Sequence, residues 1–395
     1  MTLFSIAPHA PFLPLLAERV MDGTLLGGWS RSRDFWLSDV TIVVPTRRAR
    51  LALADAFSRH KDNRGWLPDI RTFGGEVEDG EPFLPPFDAP LPLPAASGLE
   101  RRLVLSRLVA AWARSPEGQQ AFSSPPTAAE ILAMAESLGQ LIDDLLIEER
   151  SASDIRAIAG EMAAELGEYW QQTLRFLDIA LEYWPAHLEA SGRADPAELR
   201  RQRLDRQALA APLIYGDRPV IAAGSTGSIP ATARLLGAIN ALPRGAVVLP
   251  GLDSALDERD HAALLDAQNM PHSHPQYGLA SLLRRLGATI GMVTELAPET
   301  APRTILVNRA LALTSDTAQW AQNRLPQDML AAAGQGLSVI RARNEDEIEF
   351  TLRNPEYDIT RSIWKLVNGD EQRPCHWVSF GASEIGRPYH FTCTR

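Results

Sequence analysis

The chain has 395 residues, 45% hydrophobic and 22% charged, with a formal net charge of −10. That length is enough for two or three domains, and the composition excludes a disordered, collagen-like or small disulfide-rich protein. Two cysteines, Cys375 and Cys393, exclude a disulfide framework, a four-cysteine zinc site and a four-cysteine iron–sulfur site within one chain.

The chain opens MTLFSIAPHAPFLPLL, which has no positive n-region and holds three prolines. It does not read as a signal peptide. No apolar run reaches the roughly 18 residues of a membrane-spanning helix, so the expectation is a cytoplasmic protein with no membrane partner. Residues 2–60 read as strand, helix, strand, helix. LFSI (3–6) is an apolar strand, and helical spacing of Phe12, Leu15, Leu16 and Val20 predicts a helix over 11–26. DVTIVV (39–44) is β-branched and nearly all apolar, as a buried parallel strand should be. Pro45 ends it, and Thr46 is an N-cap for a helix from Arg47 to about Arg59. A short strand is expected near 69–73, then a turn at Gly74-Gly75 and a proline-rich acidic connector.

Residues 97–210 are predominantly helical. Amphipathic helices are predicted at 99–114, from Thr127 onward, and over about 161–188, where Pro185 interrupts or kinks the last one. The α/β pattern returns with VIAA (220–223), a small-residue turn GSTGS, a helix from Pro230 to about Leu242 and the strand AVVLP (246–250). Such a unit is a right-handed parallel crossover. A helix is expected at 279–286 and further strands at 304–307 and 337–341. From about Glu349 alanine and leucine become scarce, and this stretch holds both cysteines and Lys365, one of only two lysines.

DVTIVVPTRRARLALADAF, EYWQQTLRFLDIALEYWPAHL, VIAAGSTGSIPATARLLGAINALPRGAVVLPGLD and HPQYGLASLLRRLG together resemble the AddB subunit family of bacterial AddAB helicase–nucleases. The resemblance covers roughly residues 3–345, and GSTGSIPATARLL carries most of its specificity. It implies an α/β fold: a parallel-sheet superfamily 1 helicase-like domain with a degenerate P-loop and a large α-helical insertion. The implied division is 1–96 and 213–345 for the two parts of the helicase-like domain, 97–212 for the insertion, and 346–395 for an atypical tail. It further implies double-strand break repair by recombination, an AddA partner that hydrolyses ATP, and contact with single-stranded DNA and double-stranded DNA ends. In the family, an iron–sulfur cluster and Mg²⁺ belong to a carboxy-terminal nuclease, so no cofactor is expected in this chain. The tail after about Glu347 departs from the family, as a truncation or a frameshift would produce.

The residues bear on this directly. The loop after the first strand is APHAPFLPLL, without a lysine and with prolines that lack amide donors, where a nucleotide-binding loop needs both. The strand VIAAGST has Ala222 and Ala223 where an acid would hold Mg²⁺. No catalytic residue and no metal ligand set are therefore assigned. Gly224, Ser225, Thr226, Gly227 and Ser228 form either a tight packing turn or an anion-binding nest, with the packing turn favoured. Thr46, Arg47, Arg48 and Arg50 lie at the end of a parallel strand, where ligands bind, and the resembling helicases touch single-stranded DNA there. The alternative is a solvated charged first turn. Arg71, Thr72 and Phe73 are either a base-stacking clamp or a core phenylalanine beside a surface arginine. His272 and His274 read as incidental loop histidines, and Asp143, Asp144, Glu148 and Glu149 as a solvated acidic face.

Three functions follow from these readings: a non-motor DNA-binding scaffold subunit, a nucleotide-binding α/β enzyme using GSTGS, or a non-functional truncated fragment.

Overall fold

The computed structural model describes residues 2–63, 65–74, 93–122, 124–157, 173–266, 272–297, 301–313 and 324–335, and the backbone of 378–379 and 391–392. It divides into two units, Met1–Pro298 and Glu299–Arg395.

In the first unit, six short strands pair side by side. They are β1 (Leu3–Ile6), β2 (Thr41–Val44), β3 (Asp69–Thr72), β4 (Val220–Ala223), β5 (Gly245–Pro250) and β6 (Val293–Glu295). Their order is β3-β2-β4-β5-β1-β6, and every pairing is parallel. Successive side chains on a strand point to opposite faces. Leu3, Val43, Val220, Ala222, Val247 and Leu249 accordingly enter one apolar core, while Phe4, Ile6, Ile42, Val44, Ile221, Ala223 and Val248 enter the other. Burial on both faces is why β1, β2, β4 and β5 are nearly all apolar rather than alternating.

The helices follow in chain order. α1 (Phe12–Met21) and α2 (Arg47–Arg59) follow β1 and β2. Between β3 and β4 lie α3 (Gly98–Ala113), α4 (Pro116–Ala121), α5 (Ala128–Ile147), α6 (Trp184–Ser191) and α7 (Pro196–Tyr215). α8 (Pro230–Asn240) joins β4 to β5, and α9 (Glu258–Leu264) and α10 (Tyr277–Arg285) lie between β5 and β6. Parallel crossovers are right-handed, so steps in opposite directions along the sheet must place their helices on opposite faces. The chain obeys this throughout. From β1 and β2 it steps toward the β3 edge, and α1 and α2 pack Leu15, Leu16, Val20, Leu53 and Phe57 on one face. From β3, β4 and β5 it steps toward the β6 edge. α7, α8 and α10 then pack Leu204, Ala211, Leu235, Ile239, Leu282 and Leu283 on the other face.

The helical insertion has its own core of Leu105, Val109, Leu138, Ile142, Ile179 and Trp184. Its helices start where the sequence provides caps: Ser97 with Glu100 and Thr127 with Glu130 each form a reciprocal capping box. Pro185 is preceded by a π-helical turn over Ile179–Tyr183. A proline cannot donate the helical hydrogen bond, and the wider turn absorbs the fault. The Trp184 indole donates to Asp195 at 2.9 Å, and the same carboxylate caps α7 by accepting from the Ala197 amide at 2.8 Å. α7 runs through residue 212, where the sequence division was placed, and its Leu204, Ala211 and Tyr215 belong to the sheet core.

Other expectations are corrected. Residues 304–307, expected as a strand, lie within the helix α11 (Pro302–Ala310) of the second unit. Pro302 in its first turn pre-sets helical backbone, and a short apolar run such as Thr304–Val307 has no period that separates helix from strand. β6 was not expected, being three residues long and only partly buried. α1 ends at Met21 rather than near Leu26, because Gly23 turns the chain at φ +92°. α11 packs on α12 (Gln327–Gly334), with the Arg303 Nε donating to the Ala333 carbonyl at 3.1 Å. Val378–Ser379 and Phe391–Thr392 form an antiparallel pair. The expected strand at 337–341, residues 161–172 of the expected long helix, Gly75 and the rest of the 346–395 tail lie outside the described residues.

Phe57 is fully buried between α2 and the sheet. Phe57→Ala is expected to destabilise the first unit by about 3–5 kcal/mol, read as a lower denaturant midpoint with an unchanged slope.

Candidate nucleic-acid interface

β2 and β4 are neighbours, and their chains depart in opposite directions on opposite faces of the sheet. Open parallel sheets bind ligands at such a point, in the crevice beyond the carboxyl ends of the strands. Three loops meet there. Gly224, the first residue after β4, has φ +80°. A Cβ on it would lie 3.4 Å from the Phe12 ring and 3.5 Å from Pro45.

One wall is the start of α2. Thr46 accepts a hydrogen bond from the Ala49 amide at 3.1 Å and caps the helix as its sequence predicts. Thr46, Arg47 and Arg48 are exposed and Arg50 is half-buried. The first turn holds no acidic residue. Cations at the positive end of a helix are unfavourable, and an anion beside them offsets this whether it comes from the protein or from a ligand.

The turn after β4 forms the floor. The Gly224 amide donates to the Val248 carbonyl at 3.0 Å, and the Gly227 amide to the Ser225 hydroxyl at 3.1 Å. Two of the five amides of an anion nest are thus already committed. Thr226 and Ser228 are exposed. Gly227 has φ +58°, and a Cβ would sit 2.6 Å from Leu282 Cδ1 and 3.0 Å from Leu236 Cδ1. The glycine lets the turn pack directly on α8 and α10, which is the packing role favoured from sequence.

The third predicted group is corrected in part. Phe73 is 7% exposed and belongs to the sheet core, so its ring offers no free face for stacking. α7 covers that side, and the Gly74 amide is held by the buried Gln207 Oε1 at 3.2 Å. Thr72 is buried as well. Arg71 is partly exposed, with its Nε 2.7 Å from the Asp69 carboxylate.

The loop after β1 leads into Phe12 without cradling anything. The Ala7 amide is taken by the Glu295 carboxylate at 3.0 Å, and Pro8 and Pro11 have no amide hydrogen. Ala222 and Ala223 are fully buried. Sequence reasoning missed three contributors. Phe12 is half-exposed against Gly224, and its place at the start of a helix after a strand was a usable signal. Arg285 donates to the Ser228 carbonyl at 3.3 Å. Gln276 joins two loops, donating to the Gly251 carbonyl at 3.0 Å and accepting from the Asp253 amide at 3.1 Å. Neither of these last two has a local sequence signature.

Next to this stitch, burial raises the Asp253 carboxyl pKa and lowers that of His261, whose Nε2 has no hydrogen-bond partner. His274 accepts from the Gln276 amide at 3.2 Å, and His272 lies edge-on to Tyr277. Among the described residues, no group of three or more His, Cys, Asp or Glu is placed to hold a metal ion. The acidic face is not simply solvated: Asp143 pairs with Arg101 at 2.8 Å, and Glu149 pairs with Arg234.

The class that fold and site define is an α/β protein with an all-parallel, doubly wound sheet, a helical insertion after β3 and an arginine-bearing helix start at the switch point. No protein-family model matches the chain, and no curated protein matches it. Among the described residues, no helix is long and apolar enough to cross a membrane.

Gly227→Ala is expected to lower stability by about 1–3 kcal/mol through left-handed backbone and overpacking together, measured by chemical denaturation. A depressed histidine pKa contributes stability that is present above the unfolded value and lost as pH falls through the lower folded one. Stability is therefore expected to drop as pH falls below about 6.5, the ordinary histidine value, and His261→Asn should remove part of that drop.

Proposed function

We propose that the chain is a non-motor, DNA-binding scaffold subunit of a helicase–nuclease that processes double-strand breaks in the cytoplasm, of the AddB type its sequence resembles. Its partners on this reading are DNA and an ATP-hydrolysing AddA subunit. The observation that carries it is the composition of the switch point. The site keeps the position at which such sheets bind ligands and presents Arg47 and Arg48 there. It has neither a lysine nor an acid where a nucleoside triphosphate needs them. On this reading arginines and the amides of the α2 first turn hold phosphates, and Phe12, half-buried beside Gly224, is an aromatic at the crevice.

Binding of a labelled single-stranded oligonucleotide and ATP hydrolysis, measured on the same protein, test this. The protein should bind DNA salt-sensitively and hydrolyse no ATP. Replacing Arg47 and Arg48 by alanine should weaken binding across sequences and reduce the salt slope by roughly one per lost phosphate contact. Magnesium-dependent ATP turnover abolished by Ser225→Ala or Thr226→Ala would instead establish the nucleotide-enzyme reading.

A further inference from the structure

The acidic residues closing α5 reach out of the helical insertion into the layer of α7, α8 and α10. Glu149 presents its carboxylate to both terminal nitrogens of Arg234 on α8, one of them at 3.0 Å. Arg234 also donates through Nε to Asp205 of α7 at 2.7 Å. Asp205 in turn accepts from Arg201 at 2.9 Å, and Arg201 is forked on Glu198. Arg285 of α10, which binds the Ser228 carbonyl in the turn after β4, lies close enough to stabilise the Glu149 charge, as does Arg201. One carboxylate from the insertion is thus set among three arginines, and the cluster is joined to the candidate interface through Arg285 and Ser228.

Two features make Glu149 unusual in this role. It has φ +56°, one of only two non-glycine residues with positive φ among those described. The position is the one after the helix cap, where glycine or asparagine is the ordinary occupant because a Cβ is strained there. A side chain that keeps such a backbone must be held by what it contacts. The contact is a two-pronged guanidinium grip, which fits a carboxylate and a phosphate diester equally well.

We infer that Arg234, flanked by Arg285 and Arg201, is a binding site for a nucleic-acid phosphate, and that the Glu149 carboxylate fills this site in the free protein. The inference rests on the reading of the chain as a nucleic-acid-binding protein and extends its contact surface beyond Thr46–Arg50. A phosphate arriving at Arg234 displaces Glu149, and Asp205 and Glu198 remain to hold Arg201 and the Arg234 Nε. With Glu149 displaced, the three arginines face only two carboxylates, Asp205 and Glu198, which leaves a net positive charge for the phosphate. Displacement also frees Glu149 from its left-handed backbone and releases the end of α5 from the α/β layer.

The test is the affinity of the full chain for a fluorescent oligothymidylate at low salt, by anisotropy. Glu149→Gln removes the competing charge and keeps the side-chain shape. Glu149→Gly removes the charge and relaxes the backbone, so it guards against a folding defect in the first variant. Both should tighten binding by about threefold to fivefold, the range of an exposed ion pair. Arg234→Gln should weaken binding, and adding Glu149→Gln to it should restore nothing. If the wild type binds and both Glu149 variants bind equally or more weakly, the phosphate site is overturned while the nucleic-acid reading stands. If neither wild type nor variants bind, the nucleic-acid reading fails and this site with it.

Discussion

The handedness of parallel crossovers governs this molecule. A right-twisted strand followed by a helix returns to the sheet on one side only, so the direction of each step fixes the face its helix covers. The chain steps one way from β1 and β2 and the other way from β3, β4 and β5. β2 and β4 are thereby left side by side with helices departing from opposite faces. The crevice between their carboxyl ends follows from connectivity, before any side chain is specified.

What the side chains then supply is charge without a nucleotide cradle. The amides that could gather around a triphosphate are absent from Pro8 and Pro11, or are bonded within the fold at Ala7, Gly224 and Gly227. Positive charge enters through Arg47, Arg48 and Arg285, at a helix start and at a helix end. On the proposed function, a surface of this kind would grip an extended polyanion through separate phosphates rather than enclose one small anion. The helical insertion has a core distinct from those of the sheet, and it joins the α/β layer through polar groups: Asp195 ties Trp184 to the start of α7, and Glu149 pairs with Arg234 on α8.

Much of this was legible locally. Thr46 announces α2 because a threonine before a charged helical run is a cap wherever it occurs, and Gly227 reads as a packing turn from its small neighbours. The apolar runs at 3–6, 41–44, 220–223 and 245–250 are strands because helices bury them on both sides. Phe73 was open between two roles, since a phenylalanine at a strand end faces core or solvent according to what covers that face, and α7 is remote in sequence. Residues 304–307 are helix rather than the expected strand, because a threonine and three apolar residues carry no period.

The sequence by itself determined the α/β class, the strands β1 to β5, the capped helix starts at Thr46 and Thr127, and the lack of a nucleotide-loop lysine. These depend on residue type and on neighbours a few positions away. Only the tertiary structure decided the strand order, the burial of Phe73, the meeting of Phe12 with Gly224, and the grip of Arg234 on Glu149, 85 residues apart. Each joins segments far apart along the chain, and no local pattern records which distant segment will arrive.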